Sequence, residues 1–206
     1  MVTQPITRLP IRSPSGCSLC LSFKALNADS ATSALTFSTG AVTVGASGKT
    51  ITSNAAASVQ VSSAVSGSGS LWVRPNATGV VTLSGANTLS GSLNVNEGSL
   101  AVVGVGTLTS GTVTVSGAAT YLTLGNTAQS VGAFRLVDGV VEAGTLTATS
   151  FGLENGLVSA KLNGSATVTK STGGVVTLTG ANTLSGSLFV NEGSLAVDRK
   201  STRLNS

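Results

Sequence analysis

Residues 79–102 read GVVTLSGANTLSGSLNVNEGSLAV, and residues 174–197 read GVVTLTGANTLSGSLFVNEGSLAV. The two 24-residue segments lie 95 positions apart and differ only at Ser84/Thr179 and Asn94/Phe189. Chance does not produce such a match within 206 residues, so the chain is built of duplicated modules. Inside each copy the side chains alternate with a period of two. Val81 and Leu83 share one face while Val80 and Thr82 share the other; Leu93 and Val95 oppose Ser92, Asn94 and Asn96; Leu100 and Val102 oppose Ser99 and Ala101. Such alternation over four or five residues, closed by Gly or Asn, predicts half-buried strands. Both differences between the copies fall on the face opposite the Leu/Val set. A packed interior that rejects change, beside an exterior that accepts it, gives that distribution.

Working outward, Gly85-Ala86-Asn87 and Gly180-Ala181-Asn182 predict turns in which Asn bonds its own backbone. Asn96-Glu97-Gly98 and Asn191-Glu192-Gly193 predict further turns between the second and third strands. Three short strands and their turns then fill one 24-residue unit, which reads as a single coil. The same grammar recurs in ALTFSTGAVTV (34–44), KTITS (49–53), GTLTSGTVTVSG (106–117), YLTLG (121–125), GTLTATS (144–150) and ATVTK (166–170). No stretch of helical period with good helix formers interrupts it. A lone coil exposes two strand edges and half of its aliphatics, so the coils must stack. The fold predicted for residues 31–197 is an all-β, single-stranded parallel β-helix (β-solenoid) of roughly seven or eight coils, on the order of 35–40 Å long.

Composition agrees. The chain has 26 Gly, 41% hydrophobic, 9% charged and 3% aromatic residues, which suits many small aliphatics buried along an elongated repeat rather than large rings in a globule. The net charge of +4 comes from the ends: residues 1–29 carry Arg8, Arg12 and Lys24 against Asp29, and residues 198–206 carry Arg199, Lys200 and Arg203 against Asp198. Between them, Lys49, Arg74, Arg135, Lys161 and Lys170 balance Glu97, Asp138, Glu142, Glu154 and Glu192. A neutral body without clustered Lys and Arg argues against a nucleic-acid partner. No apolar run is long enough for a transmembrane helix.

Cys17 and Cys20 form a CxxC, but without His or further Cys they do not complete a zinc set, and Pro10, Pro14 and Gly16 precede them where a redox motif needs a strand. They read as incidental. Residues 1–30 share no pattern with the repeats and hold three of the four prolines, so an unstructured or mis-called N-terminal segment is expected. The run DRKSTRLNS (198–206) is charged and aperiodic, and reads as an adapter-derived or disordered tail on a truncated chain. No secretion signal is apparent in the N-terminal residues, where Arg8, Pro10, Arg12 and Pro14 break any apolar run.

At TLSGANTLSG (82–91), TLTGANTLSG (177–186) and the VNEGSLAV segments, the chain resembles the autotransporter-associated β-strand repeat family. Residues 144–178 are similar to the spacer such proteins place before each repeat; the family often carries Tyr where Leu89 and Leu184 stand. The resemblance implies a right-handed β-helix in an exported bacterial protein, either a passenger or a long surface protein. It implies an extracellular or cell-surface location, and host or matrix glycans or proteins as partners alongside neighbouring coils of the same protein. No catalytic, cofactor-binding or metal-ligating residue is expected, and no cofactor.

Parallel β-helices also house carbohydrate-active enzymes, which use two carboxylates roughly 5–9 Å apart. Asp138 and Glu142 are the nearest such pair in sequence, yet Asp138 before Gly139 reads as a turn residue and Glu142 as an outward one. Glu97 and Glu192, at equivalent places in the two copies, read as solvated turn residues. The absence of His removes the commonest general base. Thr107/Thr109, Thr112/Thr114, Thr145/Thr147 and Thr167/Thr169 would suit an ice-binding solenoid if in register on one face, but Thr is also a favoured outward strand residue. Trp72 and Tyr121 could each stack on a sugar; packing against the scaffold is the simpler role. The expectation is a structural or adhesive segment, with a carbohydrate-active enzyme fragment or an ice-binding solenoid as alternatives.

Overall fold

The computed structural model describes residues 20–21, 25–28, 35–38, 40–53 and 58–198. They form an all-β parallel solenoid of about eight turns, with no helix among them. Each turn passes over three faces. On the first face lie, in stacking order, Ala25–Ala28, Lys49–Ser53, Leu71–Pro75, Leu93–Val95, Val113–Val115, Ala133–Leu136, Ser150–Leu153 and the start of Thr167–Leu178. The second face stacks Leu35–Phe37, Ser58–Val61, Val80–Leu83, Ser99–Val102, Tyr121–Thr123, Val140–Glu142 and Gly156–Val158. Thr167–Leu178 runs round the corner and joins the two faces into one 16-stranded sheet, with Leu188–Val197 paired along its outer side. The third face carries two four-stranded sheets, with the Leu89↔Thr109 bridge between them.

The strand periodicity places the core as expected. Val81, Leu83, Leu93, Val95, Leu100 and Val102 are all buried, while Asn94 and Ser84 lie on the outward side. The 24-residue repeat, however, is more than one coil. It contains four strands, because Thr88–Leu89 forms a short one on the third face, and it begins and ends on the second face. SLAV stacks directly on VVTL, with Ser99 opposite Val80 and Val102 opposite Leu83. The unit read from the sequence as three strands is therefore one coil plus the first strand of the next.

Coil length also varies. On the first face one inward rank runs Leu71, Leu93, Val113, Phe134, Phe151, Val168, Leu188. Leu71 to Leu93 spans 22 residues, whereas Phe134 to Phe151 and Phe151 to Val168 span 17 each. Leu93 and Leu188, the same residue of the two copies, are five steps apart in this rank. The 95-residue period is thus a whole number of coils. Phe134 and Phe151 stack edge-to-face with centroids 6.2 Å apart, so the scarce large rings occupy consecutive coils of the core.

The neighbouring inward rank holds Ile51, Val73, Val95, Val115, Leu136, Leu153, Lys170 and Val190. Lys170 is fully buried there. Its methylene stem fills the aliphatic position, and its ammonium donates to the Thr172 and Glu192 carbonyls and the Thr172 hydroxyl. Those oxygens are available because Thr167–Leu178 changes register beside Lys170 as it turns the corner.

Glycine explains another corner. A Cβ on Gly69 would lie 1.8 Å from the Gly45 carbonyl oxygen, one on Gly91 2.0 Å from that of Gly69, and one on Gly111 2.5 Å from that of Gly91. Successive coils there stack backbone on backbone, and any side chain would push them apart.

The last described coil is uncovered. Val95 has no exposure, but Val190, its counterpart in the second copy, is 48% exposed. Leu188 and Leu195 are half-buried where Leu93 and Leu100 are buried. Identical sequence takes different burial because no described coil lies beyond the second copy. At the other end, Cys20–Leu21 and Ala25–Ala28 already pair in parallel with Ala41–Thr43 and Lys49–Ser53, ahead of the boundary drawn at residue 31. Cys17 and residues 199–206 lie outside the described residues.

Candidate functional site

The turns between first and second faces carry Glu97, Asp138 and Glu154, and Glu192 lies where Leu188–Val197 passes the same corner. They are used in three ways. Asp138 Oδ1 accepts the Gly139 N–H at 2.8 Å and the Asn155 side-chain amide at 3.0 Å, which ties one turn to the next coil. Glu154 accepts the Arg135 guanidinium across one coil step, an ion pair whose arginine is exposed and whose carboxylate is largely covered. Glu97 and Glu192 project into solvent. Glu142 stands on the outward side of the second face and accepts the Thr123 hydroxyl at 2.9 Å. Asp138 and Glu142 are thus held by separate partners, one in the corner and one on the sheet.

The threonine pairs do not share one face. Thr114 and Thr169 share one outward rank but are separated by Arg135 and Gly152. Thr145 and Thr147 lie on the third face, flanked by Ala128 and Ser130 on one side and Lys161 and Asn163 on the other. Thr107 is exposed, while Thr109 is buried and donates to the Leu89 carbonyl at 2.9 Å. Trp72 lies in the outward rank beside Asn94 and packs over Gly48, whose hypothetical Cβ would lie 2.3 Å from the indole. Tyr121 is 41% exposed on the second face and shares a rank with Val140 and Leu157.

A shallow groove of about 400 Å³ opens on the third face between its two sheets, lined by Asn87, Thr107, Thr109, Ser110, Gln129 and Ser130 among others. Its amides are structural. Asn87 Oδ1 accepts the Val65 N–H at 2.8 Å from the coil before, and its Nδ2 donates to the Thr107 carbonyl at 2.6 Å in the coil after. Gln129 also bonds across coils, but only to the coil before, accepting from Leu108 N–H and donating to the Gly106 carbonyl. Asn182, the second copy's equivalent of Asn87, accepts from Leu162 N–H at 2.8 Å. Asn87 thus bonds the neighbouring coils and not, as its Gly-Ala-Asn turn suggests, its own backbone. The one legible signal was that Asn recurs at the same place in both copies.

Among the described residues no group of three or more Cys, Asp or Glu is gathered as a metal would require, and no helix is long and apolar enough to cross a membrane. The arrangement as a whole offers hydroxyls and amides to solvent, with some polar side chains, Asn87, Gln129 and Asp138 among them, engaged between coils. It defines the class of protein: a parallel β-solenoid built of internal repeats. Comparison with protein-family models, with curated proteins and with solved structures found no match.

Proposed function

We propose that this chain is a structural or adhesive segment of an exported bacterial surface protein, working by length, stiffness and display rather than by catalysis. The observation that carries the reading is the pairing of an inner face kept identical between two copies with an outer face where both substitutions occur. A rod whose interior is held constant while its exterior varies suits presentation of a surface to other molecules. The resemblance of the TLSGANTLSG and VNEGSLAV segments to a repeat of exported passengers supports the extracellular placement. Glycans or proteins of a host or matrix are the partners such a neutral, hydroxyl-rich exterior would meet through hydrogen bonds.

Trypsin shaving of intact producing cells tests the placement. Release of the 136–161 peptide, bounded by Arg135 and Lys161, is the expected result. Its recovery from lysed cells alone would refute the surface reading. Incubating the purified chain with plant and bacterial polysaccharides should release no reducing ends, and release abolished by Glu142→Gln would establish the carbohydrate-active alternative.

A further inference from the structure

We propose that the groove on the third face seats one ring of a neutral polysaccharide lying along the rod. Such a seat deepens the adhesive role proposed above and rests on it. The groove exists because alternation slips there by one residue. Thr88 faces out and Leu89 in; Ala128 and Ser130 face out and Gln129 in. Between them, in the intervening coil, Leu108 and Thr109 are both buried, which leaves only Thr107 and Ser110 at the surface. A change of parity cannot be carried by a continuous ladder. Thr88–Leu89 is accordingly the last strand of one sheet and Ala128–Ser130 the first of the next, with the Leu89↔Thr109 bridge between. The opening of about 400 Å³ lies within the range of small-ligand pockets, roughly 300–1,000 Å³.

The lining selects the class of ligand. It consists of Asn, Gln, Ser, Thr, Leu and Ala, with no charged side chain. A phosphate, a carboxylate or a metal cation would find no counter-charge there. Thr88, Ser110 and Ser130 present exposed hydroxyls, each able to donate and to accept. Among the described residues the Thr88 and Ser130 hydroxyls bond no protein group, so both are available. The exposed Ala128 methyl supplies a small apolar surface beside them. A pyranose ring has the matching chemistry, with C–H groups on its faces and hydroxyls round its rim.

The walls are fixed in advance. Gln129 is buried; it accepts the Leu108 N–H at 2.8 Å and donates to the Gly106 carbonyl at 3.0 Å and the Thr127 hydroxyl at 2.8 Å. Asn87 ties the opposite wall to the Thr107 carbonyl. A ligand entering such a site orders few protein groups, which lowers the cost of binding. From Ser130 an outward rank continues through Thr147, Asn163 and Thr183, one coil step apart, about 4.8 Å each. Asn163 joins its two neighbours, donating to the Thr147 hydroxyl and accepting from that of Thr183. This uncharged rank leads out of the groove along the rod axis, so further sugars of the same chain have polar partners to follow.

Affinity electrophoresis of the full chain through gels containing galactomannan, mannan or mixed-linkage β-glucan tests the seat, with polygalacturonate as the acidic comparison. Retardation by at least one neutral polymer, insensitive to salt, is expected. Ala128→Trp, which fills the groove from an exposed position, should weaken that binding at least about tenfold. Asn94→Trp, on the first face, should leave it unchanged. Both variants should melt with the parent chain, since neither side chain belongs to the core. Passage through every neutral gel without delay, or delay that persists in Ala128→Trp, would overturn the proposal. So would delay by polygalacturonate alone that salt abolishes, because Lys161, in the rank beside Thr147, would then be the contact. Surface release of the 136–161 peptide is read separately, so failure in the gels with release from intact cells removes the groove and keeps the adhesive rod.

Discussion

The two copies supply a matched pair of valines for measuring what a neighbouring coil contributes. Val95 and Val190 have near-identical sequence surroundings; Val95 has no exposure and lies between Val73 and Val115, whereas Val190 is 48% exposed with Lys170 on one side. Val→Ala removes the equivalent of two methylenes, about 0.8 kcal/mol each when fully buried. At Val95 a cavity is left within the rank, bringing the loss to about 2–3 kcal/mol. At Val190 roughly half the transfer contribution applies and water fills the space, so the loss is ~0.8 kcal/mol or less. With a urea slope of ~2 kcal/mol/M, Val95→Ala lowers the midpoint by about 1 M or slightly more, and Val190→Ala by less than ~0.4 M. Both variants are read by far-UV circular dichroism and by the fluorescence of Trp72, the single tryptophan, which lies opposite Asn94 in the strand beneath Val95. Equal shifts would refute the account, because they would mean that a covering coil contributes nothing to these positions.

Other expected outcomes concern side-chain direction, the amide staples and the glycine corner. Leu93→Lys, which buries an ammonium in an aliphatic rank, should abolish cooperative unfolding, while Asn94→Lys on the outward side should leave the thermal melt nearly unchanged. Asn87→Ala leaves the Val65 N–H and the Thr107 carbonyl without their partner and should cost about 1–3 kcal/mol in urea unfolding. A loss below the scatter of surface variants would remove the inter-coil role. Gly91→Ala drives a Cβ into the Gly69 carbonyl and should destabilise the chain by several kcal/mol, an order of effect typical of overpacked or strained sites. Gly45→Ala, with open space at its Cβ, should be close to neutral in the same assay.

The strands easiest to read were those in which β-branched residues alternate cleanly. KTITS appears unchanged as Lys49–Ser53, and the inward sets of both repeats follow from parity alone. Strands such as Gly156–Val158 and Lys161–Gly164 were not legible, because they belong to a short coil where glycine and a charged residue interrupt the pattern. Coil boundaries were misplaced for a related reason. Thr88–Leu89 is only two residues long, too short for alternation to show, yet it is the strand that closes the coil on the third face. Lys170 could not be assigned from sequence either. Its burial depends on carbonyls that a register change in Thr167–Leu178 turns toward it, a tertiary circumstance with no local signature. At the candidate site, the turn role of Asp138 could be read from the Gly that follows, whereas its bond to Asn155, 17 positions away, appears only once coils are stacked.

Five steps of the leucine rank separate the two copies, and this bears on how such a gene changes. Recombination between the near-identical stretches would insert or delete five entire turns in frame, altering the length by about 24 Å at 4.8 Å per strand. Every inward aliphatic would return to the interior and each join would rebuild a seam already present. Length would then be inherited as a variable quantity, separately from the cross-section that makes the chain fold.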